Sequence, residues 1–244
     1  MLDKIQPFLS SALKSNEIKL VYQPIFDCEQ FVVGYEVLMR WDSSSLGEVS
    51  RTDFMTVFDD SELVSELNNY FFSCLISDLS EIGLLTVKKL FINLSCKQLE
   101  DDSLITNLDK LSKIININNI ILEVTENTLM NDIDKVIHRM EMLTKHGLSF
   151  ALDNFGTGFS SMKFFKILPI KYIKIDKSFI GELDINHEDR TIVKAILDMA
   201  KAIGFSVIAE GVENRSQFVM LKSLGIDLVQ GYFFHRPELK EMLS

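Results

Sequence analysis

The stretch NIILEVTENTLMNDIDKVIHRMEMLTKHGLSFALD, residues 119–153, decides the fold of this chain. It opens with a run rich in β-branched residues at 119–124, continues with a helical pattern at 130–146 and ends in an apolar run at 148–153. A strand, a helix and a second strand in this order form a right-handed unit whose strands are parallel. The stretch therefore predicts a parallel sheet covered by helices.

The same alternation extends over most of the 244 residues. Strands are predicted at 19–26, 31–41, 89–94, 119–124, 148–153, 171–176, 206–210 and 227–231. Helices are predicted at 61–81, 102–115, 130–146, 187–203 and 214–224. Only a few residues around Cys28 separate the first two strands, which is too short for a crossover helix, so these strands should pair antiparallel.

Eight strands in about 250 residues are typical of a closed barrel. We therefore expect an α/β fold with one domain over residues 1–244, a single (β/α)8 TIM-like barrel with its first strand antiparallel. Residues 1–17 should form a lead-in helix with Phe8, Leu9 and Leu13 facing inward. The structural competitor is an open doubly wound sheet, but no GxGxxG turn follows the first strands.

Composition limits the partners and the compartment. The formal net charge of -10 repels a nucleic-acid backbone, although a small phosphate ligand is compatible with it if metal cations intervene. The three cysteines, Cys28, Cys74 and Cys96, lie far apart with no CxxC spacing, which favours a reducing cytoplasm. No signal peptide or membrane-spanning stretch is apparent in the sequence.

Polar residues lie within the second predicted strand, at Glu36, and at or near the end of most later strands, and nearly all of them are acids or amides. They are Glu36, Asn93, Glu123, Asp153, Lys174, Asp176, Glu210 and Gln230. A single Asp or Asn at a strand end is more often a turn former or helix cap, by roughly two to one. In a parallel barrel, however, these ends converge on one face, and crowded carboxylates require cations or protons. Hard oxygen ligands without a His or Cys cluster indicate Mg²⁺, Mn²⁺ or Ca²⁺.

The chain resembles a known family over Tyr22 to Pro237. The matching motifs, in order, are YQPI, YEVLMRW, FINLS, LEVTE, ALDNFGTGFSSM, IKIDKSFI, VIAEGVE and QGYFFHRP. They are similar to those of the EAL-domain cyclic di-GMP phosphodiesterases of bacterial signalling. The resemblance implies a barrel with an antiparallel first strand, cyclic di-GMP as substrate, the linear dinucleotide pGpG as product, and two Mg²⁺ or Mn²⁺ ions per active site.

The resemblance also implies roles for the matching residues. One metal would be bound by Glu36, Asn93, Glu123 and Asp153, and a second by Asp153, Asn154 and Glu210. Lys174 would position the attacking water and Gln230 would orient water and substrate, with Glu36 and Glu210 as further catalytic residues. Gln23, Leu38, Arg40 and Asp176 would bind the nucleotide. Glu126 and Glu213 would be supporting carboxylates, the former for the loop through Gly156.

The chemistry of two bound metal ions agrees with these roles. Ions about 4 Å apart bridge a water, ionise it near neutral pH and stabilise charge on a phosphate. The main departure from the family is Asn154, which stands where active members carry Asp. An amide removes one negative charge, so weaker binding of the second metal is expected.

Three functions remain open on this basis. The first is a metal-dependent phosphodiesterase, with activity reduced by Asn154. The second is a cyclic di-GMP receptor with little or no turnover, and the third is a degenerate barrel that acts through protein contacts. Regulation is expected through a homodimer or from a region outside residues 1–244.

Overall fold

The computed structural model describes residues 2–59, 62–82, 88–126, 128, 133–157 and 164–242. Its strands are β1 (Ile18–Asp27), β2 (Val32–Ser43), β3 (Gly47–Val49), β4 (Leu90–Asn93), β5 (Ile120–Thr125), β6 (Ser149–Phe155), β7 (Tyr172–Ile175), β8 (Ser206–Ala209) and β9 (Leu228–Val229). They hydrogen-bond in the order β1-β9-β8-β7-β6-β5-β4-β2-β3, and β1 also pairs with β2. That last pairing closes eight of the strands into a barrel.

The predicted direction of the first strand is confirmed. Strand β1 runs antiparallel to both of its barrel neighbours, β2 and β9. The other barrel pairings are parallel. The carboxyl ends of β2 and β4 to β9 therefore share one face of the barrel. Strand β3 was not predicted; it lies outside the closed barrel and extends β2 as an antiparallel hairpin.

Helices surround the barrel. They are α1 (Leu2–Ile5), α2 (Leu9–Lys14), α3 (Arg51–Asp59), α4 (Val64–Ile82), α5 (Cys96–Glu100), α6 (Ser103–Leu111), α7 (Ile133–Lys145), α8 (Lys177–Ile180), α9 (His187–Ile203) and α10 (Arg215–Leu224). Helix α9 has the predicted bounds, because Asn186 caps its start and Gly204 in a left-handed conformation ends it. Residue 61 of the predicted 61–81 helix and residues 130–132 of the predicted 130–146 helix lie outside the described residues.

The segment 1–17 differs from the continuous lead-in helix expected there. A 3-10 turn at Gln6–Phe8 separates α1 from α2, and Pro7 lies at its start. Proline lacks the N–H that a continuous helix would need at this position. Leu9 and Leu13 face inward as predicted, because both are buried, and Phe8 is half-buried against the core.

Apolar side chains form two separate clusters. The larger lies between the helices and the outer surface of the barrel, and the smaller fills the barrel interior. Within the described ranges, no helix combines the length and apolar character needed to cross a membrane.

Candidate active site

Two layers of side chains lie inside the barrel. The lower layer is apolar and takes Ile25, Phe91, Ile121, Ala151, Tyr172, Ile208 and Leu228 from seven strands. Each of these residues has a polar residue two positions away in the sequence. In the same order, the polar residues are Gln23, Asn93, Glu123, Asp153, Lys174, Glu210 and Gln230. Alternate residues of a strand point to the same side, so the second set lies above the first. In β1 the polar residue precedes the apolar one, because that strand runs in the opposite direction.

The ammonium of Lys174 is the centre of the polar layer. Its Nζ lies 3.1 Å from Glu36 Oε2, 3.0 Å from Glu123 and 2.7 Å from Glu210 Oε1. A fourth carboxylate, Asp153, is 3.7 Å away. The Lys174 side chain has no exposed surface. A cation buried this deeply is stable only because carboxylates surround it.

Amides bind the Glu36 carboxylate from two sides. Asn93 Nδ2 donates to Glu36 Oε1 at 2.7 Å, and Gln230 Nε2 donates to Glu36 Oε2 at 2.8 Å. Gln230 Nε2 is also 3.1 Å from Gln23 Oε1, and Gln23 Nε2 donates to the backbone carbonyl of His235 at 3.3 Å. The network fixes the position of Glu36 and connects it to the segment after β9.

The pKa values of Glu123, Glu210 and Lys174 in this layer are shifted from their usual values. Burial raises the pKa of Glu123 well above its usual range; the Lys174 ammonium opposes this and the other carboxylates add to it. Burial likewise raises the pKa of Glu210 to about 7. Burial alone would lower the pKa of Lys174, but the four carboxylates raise it well above the usual value, so this group stays charged. The layer therefore has excess acid for its single ammonium.

The donor set fits a hard divalent cation in its chemistry. The buried acceptor atom Gln230 Oε1 has no hydrogen-bond donor among the described residues, and Glu123 Oε1 is contacted by the Lys174 ammonium at 3.0 Å. Carboxylate and amide oxygens are the ligands that Mg²⁺ and Mn²⁺ prefer. In the described part of the chain, however, no three acidic, His or Cys side chains are arranged to hold a metal. Metal binding would therefore compete with Lys174 for the same oxygens.

Asn154 binds the neighbouring Asp153 carboxylate. Its backbone N–H donates to Asp153 Oδ1 at 2.9 Å, and its side-chain Nδ2 donates to Oδ2 at 3.1 Å. The residue has a φ of 54°, a left-handed conformation that Asn and Asp tolerate better than most residues. An Asp at this position could keep the backbone bond but would offer no side-chain N–H. The amide thus occupies an oxygen that a metal would need.

Above this layer opens a cavity of about 800 Å³. Most of the predicted site residues line it: Gln23, Glu36, Leu38, Arg40, Asn93, Asp153, Asn154, Asp176, Glu210, Glu213 and Gln230. Lys174 and Glu123 are held beneath them by the contacts given above. The structure therefore brings together residues from all eight strands of the barrel or from the loops that follow them.

The predicted nucleotide-binding residues, which are not among the predicted metal ligands, have differing environments. Arg40 is half-buried and donates to the carbonyl of Met39 at 3.0 Å, while Leu38 is buried. Asp176 is the N-cap of α8 and accepts the Ser178 N–H at 2.9 Å, so it has the capping role common for Asp as well as a place on the cavity wall.

The two predicted supporting carboxylates differ. Glu126 Oε1 accepts the backbone N–H of Gly156 at 3.2 Å, which fixes the start of the loop after β6. Glu213 has an exposed side chain, and its backbone N–H donates to Gln217 Oε1 at 2.7 Å. A supporting role for the Glu213 carboxylate stays a prediction. Residues 158–163 of the glycine-containing loop lie outside the described residues.

The helix that forms one wall of the cavity was not predicted from the sequence. Helix α3 contributes Thr52, Met55, Thr56 and Asp59 to the lining, although no helix was predicted over 51–59. A signal was present: Ser50 and Asp53 form a reciprocal cap, with Ser50 Oγ 2.7 Å from Asp53 Oδ2 and Asp53 N 3.2 Å from Ser50 Oγ. Ser-x-x-Asp before an apolar run is a helix-start pattern.

The fold and the site define a β/α barrel in which carboxylate and amide side chains surround a buried lysine at the carboxyl ends of the strands. The chain belongs to the EAL domain family, whose model matches residues 8–237.

Known relatives are similar over most of this chain. NbdA, a cyclic di-GMP phosphodiesterase of Pseudomonas aeruginosa, is 31% identical over 241 residues, covering 94% of this chain and 30% of NbdA. The cyclic di-GMP phosphodiesterase PA2567 of the same organism is also 31% identical, covering 97% of this chain and 41% of PA2567. The chain thus spans less than half the length of these two relatives.

Solved structures match the whole fold. The c-di-GMP complex of the PaMucR phosphodiesterase has a TM-score of 0.89 at 30% identity, covering 99% of this chain and 100% of that one. The EAL enzyme Bd1971, with cAMP and cyclic di-GMP bound, has a TM-score of 0.91 at 28% identity, covering 99% of this chain and 68% of that one.

Proposed function

We propose that this chain is a metal-dependent phosphodiesterase that opens one phosphodiester of cyclic di-GMP to give pGpG. The observation that carries the proposal is the buried Lys174 ammonium among four carboxylates. The named activity of the relatives supports the choice of substrate.

The residues that would hold the metals are the acids and amides of the polar layer. Glu36, Asn93, Glu123 and Asp153 would bind the first ion, and Asp153, Asn154 and Glu210 the second. Bound divalent ions would supply a water that ionises near neutral pH and positive charge at the phosphate. Hydrolysis needs no covalent nucleophile from the chain in this scheme.

The chain's own residues have positioning and proton-holding roles. Lys174 presents an ammonium that can hydrogen-bond to water or to a phosphate oxygen. Asn93 and Gln230 hold both oxygens of Glu36 in place. Arg40 lies in the wall of the cavity and offers a guanidinium to a second phosphate oxygen of the dinucleotide, while Gln23, Leu38 and Asp176 line the nucleotide space.

The alternative is a cyclic di-GMP receptor with little turnover. The hydrogen bond from Asn154 Nδ2 to Asp153 Oδ2 favours it, because this amide takes up an oxygen of the carboxylate shared by both proposed metal sites. We expect the second metal to bind weakly for the same reason.

The deciding experiment is incubation of the purified chain with cyclic di-GMP and Mg²⁺ or Mn²⁺, with calorimetric binding measured in parallel. Formation of pGpG supports the phosphodiesterase. Binding without pGpG at high protein concentration leaves the receptor, and loss of both excludes the two proposals together. A cytoplasmic location and a homodimer are also proposed; light scattering after size-exclusion chromatography tests the latter.

A further inference from the structure

Lys240 lies on the outside of the barrel, where its ammonium bridges two carboxylates of helix α4. Its Nζ is 2.9 Å from Asp78 Oδ1 and 2.7 Å from Glu81 Oε2. We call these three residues the clasp. The side chains of Lys240 and Asp78 are 19% and 17% exposed, and a pair shielded in this way is screened by salt less than an exposed one. The Lys240–Asp78 pair therefore differs from exposed surface pairs, which contribute little.

The clasp also holds strand β1. The Tyr22 hydroxyl donates to the second oxygen of Asp78, Oδ2, at 2.8 Å. The Tyr22 ring is buried in the apolar cluster between the barrel and the helices. Asp78 thus receives a hydroxyl from β1 on one oxygen and the Lys240 ammonium on the other, which joins helix α4 to both.

The backbone of Tyr22 pairs with the segment that precedes Lys240. Strand β9 has two residues, and they pair with residues 26 and 27 of β1. Earlier in β1, Tyr22 N–H donates to the Glu238 carbonyl at 2.7 Å, and Glu238 N–H donates to the Tyr22 carbonyl at 3.1 Å. Residues 235–240 therefore continue the barrel wall beside β1 beyond β9.

The same segment contacts the polar layer. Gln23, which follows Tyr22 in β1 and faces the opposite side, donates from Nε2 to the His235 carbonyl at 3.3 Å. Gln23 Oε1 is 3.1 Å from Gln230 Nε2, which donates to Glu36 Oε2 at 2.8 Å. A chain of hydrogen bonds thus leads from the segment to a proposed metal ligand.

We propose that Lys240 is a positioning residue for the active site: it fastens residues 235–240 to helix α4 and thereby holds Gln23 in the cavity wall. The effect on catalysis rests on the proposed function. The alternative is a clasp that only stabilises the fold. Two observations favour positioning: Tyr22 and Gln23 are adjacent and contact the same segment on opposite sides of β1, and Pro237 of that segment lines the cavity.

The first test needs no nucleotide. NMR measures amide hydrogen exchange and side-chain amide signals in the full chain without metal. In Lys240→Met, the N–H groups of Tyr22 and Glu238 should exchange about three- to tenfold faster, and the Gln23 Nε2–H signals should shift. Lys240→Arg keeps a cation and should restore both. Unchanged exchange and unchanged Gln23 signals in Lys240→Met would overturn the proposal, whatever the activity of the chain.

The second test asks whether Lys240 acts through Gln23. Initial rates with cyclic di-GMP and Mn²⁺ are measured for Lys240→Met, Gln23→Met and the double variant. The bond from Gln23 to the segment is long, so a small displacement breaks it, and Lys240→Met should raise KM about three- to tenfold with kcat nearly unchanged. In the Gln23→Met background the Lys240 change should add nothing. Equal effects in the two backgrounds would show that Lys240 does not act through Gln23.

Lys222 provides the matched control. Its ammonium joins helix α10 to the connection between β1 and β2, at the other end of the barrel, 2.9 Å from the Cys28 carbonyl and 3.2 Å from the Glu29 carboxylate. Lys222→Met should leave the exchange of Tyr22 and KM unchanged. An equal rise in KM for this variant would overturn the assignment to Lys240.

Failure of the proposed function gives a different result. A natural chain that neither binds nor hydrolyses cyclic di-GMP, with faster exchange and shifted Gln23 signals in Lys240→Met, would reject the proposed substrate and keep the positioning of Gln23. If the chain binds the nucleotide without turnover, its affinity from calorimetry replaces KM, with the same expected change.

Discussion

The two layers inside the barrel come from the same strands, two residues apart, yet their stability has different origins. Ile121 and Ile208 in the lower layer need only close packing, because they bury no polar atoms. Glu123, which is buried, and Glu210, which is partly buried, lie above them and are stabilised there because Lys174 pairs with both. The lower layer therefore supports the fold, whereas the upper layer retains charge whose neutralisation is incomplete. Incomplete neutralisation is the property on which the proposed metal binding by the upper layer depends.

Replacing Lys174 with Met should have the largest effect. The change leaves three buried carboxylates and the partly buried Glu210 without their cation, and breaking a buried ion pair costs about 3–5 kcal/mol. We expect a loss of that size in the free energy of unfolding at pH 8, together with loss of pGpG formation. Urea denaturation measures the first and chromatography of the product the second.

Lys177→Met is the matched control, because Lys177 also lines the cavity but is exposed. Its effect on stability should stay within about 0.5 kcal/mol. Equal stability of Lys174→Met and the natural chain would contradict the role given to the buried ammonium.

The second largest effect is expected in the pH dependence of the free energy of unfolding of the metal-free protein, because it is the upper layer that contains the carboxyl groups. Burial raises the pKa of Glu210 from 4.5 to about 7, so between these values the unfolded chain has released a proton that the folded chain retains. The free energy of unfolding should therefore fall as pH rises from about 4.5 to 7, by up to about 3 kcal/mol. The melting temperature in EDTA at pH 5, 6.5 and 8 measures this.

Added Mn²⁺ should reverse that loss, because it binds the ionised carboxylate. Its effect on the melting temperature should be larger at pH 8 than at pH 5. Glu210→Gln removes one of the two carboxyl groups whose pKa is raised in this layer, so it should flatten the curve relative to the natural chain without abolishing the slope. An equal effect of Mn²⁺ at the two pH values would show that these carboxylates do not receive the metal.

The smallest effect is expected in the lower layer. Ile121→Val removes one buried methyl group and should cost about 1 kcal/mol of stability. Hydrolysis of cyclic di-GMP and its metal dependence should not change, because no polar contact is lost. Initial rates against Mn²⁺ concentration measure this, and a shift in metal requirement would mean that the two layers are coupled more closely than their contacts indicate.

Sequence reasoning located the strands because strand periodicity and short turns are local properties. It also placed Glu36, Asn93 and Asp153 at one end of the barrel, because topology alone brings strand ends together. It could not show that Lys174 pairs with four carboxylates, since those contacts join strands that are far apart in sequence. Nor could it show that Asn154 donates to Asp153, which depends on a left-handed backbone angle.

Three segments were not predicted correctly from the sequence, for other physical reasons. Helix α3 has nine residues, and its start depends on the reciprocal Ser50–Asp53 cap more than on a long apolar pattern. The short strand β3 depends on pairing with β2 beyond the barrel. In the lead-in segment, Pro7 outweighed the continuous apolar pattern.

The rate of pGpG formation against Mn²⁺ concentration, for the natural chain and Asn154→Asp, tests the central claim most directly. The substitution adds a negative charge and removes the N–H that occupies Asp153 Oδ2. We predict that both proteins hydrolyse cyclic di-GMP, and that Asn154→Asp reaches a rate higher by on the order of tenfold at a lower Mn²⁺ concentration. No pGpG from either protein at any Mn²⁺ concentration would contradict the assignment of this polar layer as a metal-dependent phosphodiesterase site.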